Sequence, residues 1–472
     1  MNSQDSNTNT STNPTTNINP MTDEDIKNMR SITEETFQMV KDYKGSHSGE
    51  HGDGILRSEF HEMMFGKKLV NAFEDVKQLF DKKTIFNPHK ITNAYKQNDR
   101  SLMRYKASYK SEKISTNYDW SNWGEFSNAI EMCNNNGACR KLDSGVMCPS
   151  YRVTKDEKDL VRGRANTLRL ALSNQLTKNS FVSKEMFKTM ELCVSCKACQ
   201  RECPMSVDMA KMKSEFLFHY YKKFSMKFKD KIISNIPRNI KLLKYTAPIF
   251  NRLKNITILN HLIEYFFNFS TKRTIPEVQD IKSLKDIYNF QTKQKDKIIL
   301  LADTFNINFE IQNLIYAIKV LNKFNYEVVI PHFEDQSLNR PICCGRTYIS
   351  YGQINRAKEE LNRFTNFIIK NSLNTIAVIG IEPSCLLTFS DEFKSLNGIE
   401  GRDKIKNKFY LLEEFILEKI KEGKNLKTNK FTSEARLECS VRDGDKCDTG
   451  YDVLWSHNNT SNPWSEVELD VA

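Results

Sequence analysis

Apolar residues recur at helical spacing from Asp23 to Lys44, where Ile26, Met29, Ile32, Phe37 and Val40 predict one buried helix face. A glycine-punctuated loop, SHSGEHGDGILRSEF, separates this helix from a second helical stretch, Glu59 to Phe80, and Asn87-Pro88-His89 closes the unit. Residues 92–125 read as a polar linker carrying Trp120 and Trp123. Lys155 to Leu176 and Val207 to Lys223 predict two more helices, interleaved with cysteine-rich runs, and helical character continues to about residue 270. From about residue 296 the period changes. IILLADT and YEVVIP read as buried strands on either side of an amphipathic helix, Phe309 to Lys323. A helix from Ile354 to Lys370 and a strand, TIAVIGIE, follow, and residues 400–425 read as helical. Such strand–helix–strand alternation argues for a small α/β unit with a parallel sheet.

Composition changes the picture mainly at the two ends. Residues 1–20 are rich in Asn, Thr and Ser without apolar periodicity, which predicts disorder. Beyond Thr432 the chain turns acidic and aperiodic, with Trp455 and Trp464. At 39% hydrophobic and 27% charged, the 472 residues suit about three ordinary domains and exclude a polytopic membrane protein. No window holds the ~18 apolar residues of a spanning helix. The N-terminus has neither a basic nor an apolar signal region, so a cytoplasmic address is expected.

The net charge of +11 sums unlike parts. Residues 222–254 carry ten Lys/Arg against the single acid Asp230, whereas the last forty residues carry nine acids against three bases. A basic amphipathic stretch either solvates a helix face or sits on an anionic membrane surface, so peripheral contact with the inner face of the membrane is an expectation here. No recognised nucleic-acid motif accompanies the charge, and nucleic acid is not an expected partner.

Twelve cysteines are too few for a disulfide scaffold of this length, but they cluster. The run ELCVSCKACQRECPMSVDM contains Cys193-x2-Cys196-x2-Cys199-x3-Cys203-Pro204. In such a run three thiolates wrap one cubane and the fourth, before Pro, ligates a second cluster. The partner motif lies upstream, as Cys133-x5-Cys139-x8-Cys148-Pro149. The crossing rule assigns one [4Fe–4S] cluster to Cys148, Cys193, Cys196 and Cys199. Cys133, Cys139 and Cys203 remain for a second, with Asn136 where a regular motif has cysteine. Three thiolates suit a three-iron cluster or a four-iron cluster with another fourth ligand. A four-thiolate zinc site is the alternative for the complete set, and buried metal-free thiols for the other. Arg152, Arg162, Arg164 and Arg169 either raise a cluster potential or pair with Asp156, Glu157 and Asp159.

These residues resemble a known family. EMCNNNGACRKLDSGVMCPSYRVTKDEKDLVRGRANTLRLAL and LCVSCKACQRECPMSVDMAKMKSE look like the ferredoxin-like module of fused FAD/iron–sulfur D-2-hydroxyacid dehydrogenases, which oxidise D-lactate, glycolate or D-2-hydroxyglutarate. SGEHGDGILRSEF with MMFGKKLVNAFEDVKQLFDKKTIFNPHKI is similar to the carboxyl end of the FAD-linked oxidase fold. RPICCGRTYISYGQINRAKEEL and GIEPSCLLTFSDEF resemble the cysteine-rich CCG domain. The resemblance implies FAD in the complete enzyme, a divalent metal at Glu50 and a catalytic base at His51. It also implies a D-2-hydroxy acid substrate and a quinone or soluble electron acceptor. Cys343 and Cys344, after a turn at Pro341, and Cys385, in a loop after the third strand, either bind a cluster or carry redox chemistry, or else serve only to build the fold.

The chain departs from the family in having no counterpart of the FAD-binding domain and only the first half of the CCG domain, which suggests a split gene, a truncation or a frame change. A flavin-domain polypeptide is then the expected partner, and a carrier subunit or an inactive remnant is the alternative. Cys439 and Cys447 match no motif. The expected organisation is α+β and multidomain. A disordered leader (1–22) precedes the C-terminal segment of a FAD-linked oxidase domain (23–92) and a linker (93–125). An α-helical ferredoxin-like [4Fe–4S] domain with a basic helical extension (126–270), a partial α/β CCG domain (296–430) and an atypical acidic tail (433–472) follow.

Overall fold

The helix Asp23–Asp42 begins at a reciprocal cap: Thr22 Oγ1 accepts from the Asp25 amide at 3.1 Å, and the Asp25 carboxylate accepts from the Thr22 amide at 2.8 Å. This computed structural model describes residues 22–422 apart from 50, 107, 254–255, 268–269, 271, 273–275, 280–295, 332–341, 372–374 and 406–408. The leader up to residue 21, the acidic tail with Cys439 and Cys447, Pro341, and Glu50 lie outside the described residues. The expected helix Glu59 to Phe80 is two, His61–Phe65 and Lys67–Phe80. They part at Gly66, whose φ of +81° suits only a residue without Cβ.

The helix expected over Lys155 to Leu176 is likewise divided. Pro149–Thr154 stops at Lys155, a 3-10 turn covers Glu157–Asp159, and Val161–Leu172 follows. Gly163 permits this tight return, since a Cβ there would stand 2.0 Å from the Glu157 carbonyl oxygen. The helices Lys184–Glu191, Ala198–Glu202 and Met209–Lys223 complete the layer around Leu160, Leu168, Leu172, Met190 and Phe216, all fully buried.

The segment read as a polar linker is part of this core. Tyr118 and Trp120 are buried, and Glu215, with no exposed surface, accepts from the amide of Asn117 (3.0 Å), its Nδ2 (3.0 Å) and the amide of Tyr118 (3.2 Å). Polar composition hid this, because the polar atoms are satisfied internally rather than by water. Glu215→Ala should therefore destabilise the fold by about 3 kcal/mol through stranded donors. Glu215→Gln should recover part of the loss in denaturant titrations, and equal stability of both variants with wild type would contradict the bonding.

The α/β unit holds four parallel strands in the order β2-β1-β3-β4: β1 Asp296–Leu301, β2 Tyr326–Val329, β3 Thr375–Gly380 and β4 Phe409–Leu411. The stretch 400–425 was expected to be helical throughout; its helix is Leu412–Lys421, and the three residues of β4 are too short to show a period. Because β2 and β3 flank β1 on opposite sides, the carboxyl ends of β1 and β3 open a crevice at a topological switch point. The basic stretch forms the helices Phe228–Ser234, Ile236–Leu253 and Thr257–Phe267. Its first turns join the α/β unit: Gln353 Nε2 donates to buried Ser234 at 2.6 Å, and Arg238 pairs with Glu359. Among the described residues no helix is long and apolar enough to cross a membrane.

Candidate iron–sulfur centre

Cys148, Cys193, Cys196 and Cys199 all line one small cavity of about 20 Å³, shared with Val161, Val194, Met209 and the guanidinium-bearing Arg164. Cys148 stands just before the helix Pro149–Thr154 in the left-handed region (φ +55°). Ser195 (φ +54°) and Lys197 (φ +63°) adopt the same region and curl the loop that carries Cys193 and Cys196. Cys199 enters from the helix Ala198–Glu202. Left-handed backbone at non-glycine residues is uncommon, and here it turns successive thiols toward one point.

Burial pushes the Cys148 thiol up to about 12 and the Cys199 thiol higher still. Such thiols keep their protons at neutral pH until a metal displaces them, which suits ligands and not nucleophiles. The second set is near by. Cys133 interacts with Cys203 and Cys139 with Cys133, both raised by burial, while Cys148 interacts with Cys139 and Cys193. Asn136 is exposed and donates to Asn134 Oδ1 at 2.7 Å.

Of the four arginines, Arg164 both borders the four cysteines and pairs with an acid. It lines the cavity, is 2% exposed, and lies 3.5 Å from the buried Asp159 carboxylate. It also donates to the carbonyls of Asp159 (2.7 Å) and Thr189 (3.1 Å) and to Ser150 (3.1 Å). Arg162 pairs with Glu157 at 2.7 Å, Arg152 donates to the Ser144 carbonyl at 2.6 Å, and Arg169 lies over the Tyr105 ring at 5.8 Å.

An ionic lattice that sequence reading did not anticipate joins the cysteine loop to the α/β unit. Lys197 reaches Asp391 and Glu392 at 2.6 Å each, Lys211 reaches Asp391 at 2.6 Å, and Arg346 pairs with Glu392. Arg346 also donates to the Ser195 carbonyl at 3.2 Å, within the Cys193–Cys196 loop. Its partners lie almost two hundred positions apart, beyond the reach of any local signal.

Arg346 leads back to the adjacent pair Cys343 and Cys344, since its amide donates to Cys344 Sγ at 3.4 Å. Cys343, Cys344 and Cys385 are buried together, and burial with the neighbouring thiols raises the Cys343 and Cys344 thiols well above their ordinary value. Cys385 lies in the helix Pro383–Ser390 rather than in a loop; proline at its first turn starts that helix directly after β3. Asp303, after β1, and Cys385, after β3, interact at the switch-point crevice.

In the N-terminal segment His51 is exposed in the loop after Lys44. Gly52, Asp53, Gly54 and Arg57 beside it line an open groove of about 420 Å³ with Thr33 and Phe37. His47, Asp53 and His61 converge under this loop, a grouping that the sequence reading missed. Their only signal was two histidines bracketing the loop.

Residues 9–91 match the domain model described as FAD linked oxidases, C-terminal domain, and residues 129–207 match the 4Fe-4S dicluster domain. D-2-hydroxyglutarate dehydrogenases are among the curated relatives: that of Haemophilus influenzae is 23% identical over 417 residues, covering 79% of this chain and 39% of the relative. Those of Escherichia coli and Pseudomonas putida are each 23% identical, covering 79% and 80% of this chain and 40% and 41% of their own lengths. The chain is thus similar, over its two matched domains and most of its length, to FAD-linked oxidase and iron–sulfur D-2-hydroxyacid dehydrogenases. It spans about two fifths of the length of these relatives. FAD and iron–sulfur clusters are the cofactors of its two matched domain types, and the α+β class holds, helix-rich with one small parallel sheet. No solved structure matches the chain significantly.

Proposed function

We propose that this chain is the iron–sulfur electron-transfer portion of a FAD-dependent D-2-hydroxyacid dehydrogenase, of the D-2-hydroxyglutarate or D-lactate type, delivering electrons to a quinone or soluble carrier. The observation that carries this reading is the single cavity lined by Cys148, Cys193, Cys196 and Cys199. FAD and iron–sulfur clusters, when bound, supply two-electron and one-electron transfer respectively. The four cysteines would hold one cluster, and Cys133, Cys139 and Cys203 would contribute to the second that a dicluster domain has room for. Arg164 supplies fixed positive charge at the cavity wall, which raises the potential of a group held there. Val161 and Met209, both buried, make that wall apolar. Lys197 and Arg346 tie the cysteine loop to the CCG thiols, which extends the path toward an acceptor at the switch-point crevice.

On the substrate side, the imidazole of His51 would take the hydroxyl proton while the Cα hydride passes to FAD on the flavin-bearing polypeptide, and Glu50 would hold a divalent metal. A flavin-bearing polypeptide is the partner this requires. Photoreduced FAD, added anaerobically to the cluster-loaded chain, should bleach the broad visible absorption of the clusters. Bleaching by dithionite but not by reduced FAD would count against the electron path.

A further inference from the structure

His47 and His61 are the two most enclosed imidazoles of the N-terminal segment, and neither is explained by the electron path. The side chain of His47 has no exposed surface and that of His61 2%. Neither ring nitrogen of His47 makes an aligned hydrogen bond, nor does His61 Nε2 or Asp53 Oδ1. Buried polar atoms are paired in the great majority of native structures, so several orphans in one place call for a missing partner.

The orphans face one another. His61 Nε2 lies 3.0 Å from Asp53 Oδ2, off the line of a hydrogen bond, and His47 Nε2 lies 3.8 Å from Asp53 Oδ1. One ligand atom from each residue falls within 4.8 Å of the other two. Tetrahedral ligands at about 2.0–2.1 Å from zinc stand about 3.3 Å apart, which these spacings bracket.

His61 is held from its far side: Nδ1 lies 3.1 Å from the Ile91 carbonyl oxygen, which can only accept, so Nδ1 donates to it. Nε2 is thereby aimed at the Asp53 carboxylate, where a cation shared by the two groups would satisfy both. Ile91 holds its carbonyl there at φ +68°, a costly conformation for a β-branched residue, and its amide donates to Ser58 Oγ at 3.0 Å. A backbone carbonyl that fixes the far nitrogen of an imidazole is the usual outer support of a metal-ligating histidine. Phe37, Phe65 and Phe73 pack edge-on against the two imidazoles at 5.1–6.2 Å between centroids, a dry shell on the protein side. Asp53 and Phe37 also border the open groove, which leaves the carboxylate side accessible.

We infer that His47, Asp53 and His61 form a binding site for one divalent zinc-class cation, with a fourth position open to the groove. Two imidazoles and one carboxylate suit zinc and disfavour magnesium or calcium, which take oxygen ligands. None of the three is Glu50, to which the family resemblance assigns a metal.

The test uses the full chain, loaded with clusters anaerobically, washed with a mild chelator and equilibrated with zinc alone. About one zinc per chain is expected, with a nitrogen/oxygen shell at about 2.0–2.1 Å and no sulfur shell at about 2.3 Å in zinc-edge X-ray absorption. Asp53→Asn and His61→Phe should each weaken zinc binding by at least about tenfold while leaving the iron content unchanged. Zinc bound through sulfur, no retained zinc, or wild-type affinity in both variants would overturn the site. Where a variant fails to fold, imidazole multiple scattering in the absorption of the unmodified chain still separates the sites: two imidazoles per zinc support this one, and one or none overturns it.

Discussion

Cys199→Ala should strip about four irons from each chain and abolish one of two reduced-state paramagnetic signals. Cys199 is buried at the base of the cavity that Cys148, Cys193 and Cys196 share, so no solvent ligand replaces it readily. The crossing of ligands makes this prediction specific. Cys148 lies nine residues after Cys139 in sequence, yet it lines the cavity of Cys193, Cys196 and Cys199. Cys148→Ala should therefore erase the same signal as Cys199→Ala, whereas Cys139→Ala and Cys203→Ala should erase the other. Loss of one common signal in Cys148→Ala and Cys139→Ala, with Cys199→Ala different, would reverse the assignment. Iron analysis and electron paramagnetic resonance on the four variants provide the comparison.

Arg164→Leu should cost about 3–5 kcal/mol of folding stability, because it leaves the Asp159 carboxylate buried without its countercharge. The guanidinium spans four acceptors, Asp159 twice, Thr189 and Ser150, and neither it nor Asp159 is more than 2% exposed. Denaturant titration of the metal-free chain isolates this effect from cluster loss. Removing both charges, as Arg164→Leu with Asp159→Asn, should restore part of the stability, since no lone charge then remains inside. A single variant within about 1 kcal/mol of wild type would show that the pair is solvated rather than buried.

The convergence of Cys193, Cys196 and Cys199 was legible because the run is local: three thiols within seven residues line one cavity once Ser195 and Lys197 curl the backbone. The sheet was legible where strands were long and apolar, as in β1, and not in β4, whose three residues carry no period. Helix ends at Lys155 and Gly66 depend on positive φ, which at Lys155 no composition rule signals. Long-range charge pairing stayed hidden for a different reason. Lys197 and Asp391 each look like ordinary surface charges until the α/β unit covers them, and only the fold supplies that cover. Asn117 and Tyr118 likewise looked like linker because Glu215, their acceptor, lies about a hundred residues away. The grouping of His47, Asp53 and His61 has the same character, being assembled from a loop, a turn and a helix start.

The reading of this chain as an electron-transfer protein rests on clusters at the two cysteine sets. Iron, zinc and acid-labile sulfide measured together in the anaerobically reconstituted chain test that claim most directly. About eight irons matched by about eight sulfides, with reduced-state signals of coupled clusters, is the predicted result. Zinc at the cysteines without acid-labile sulfide would contradict it.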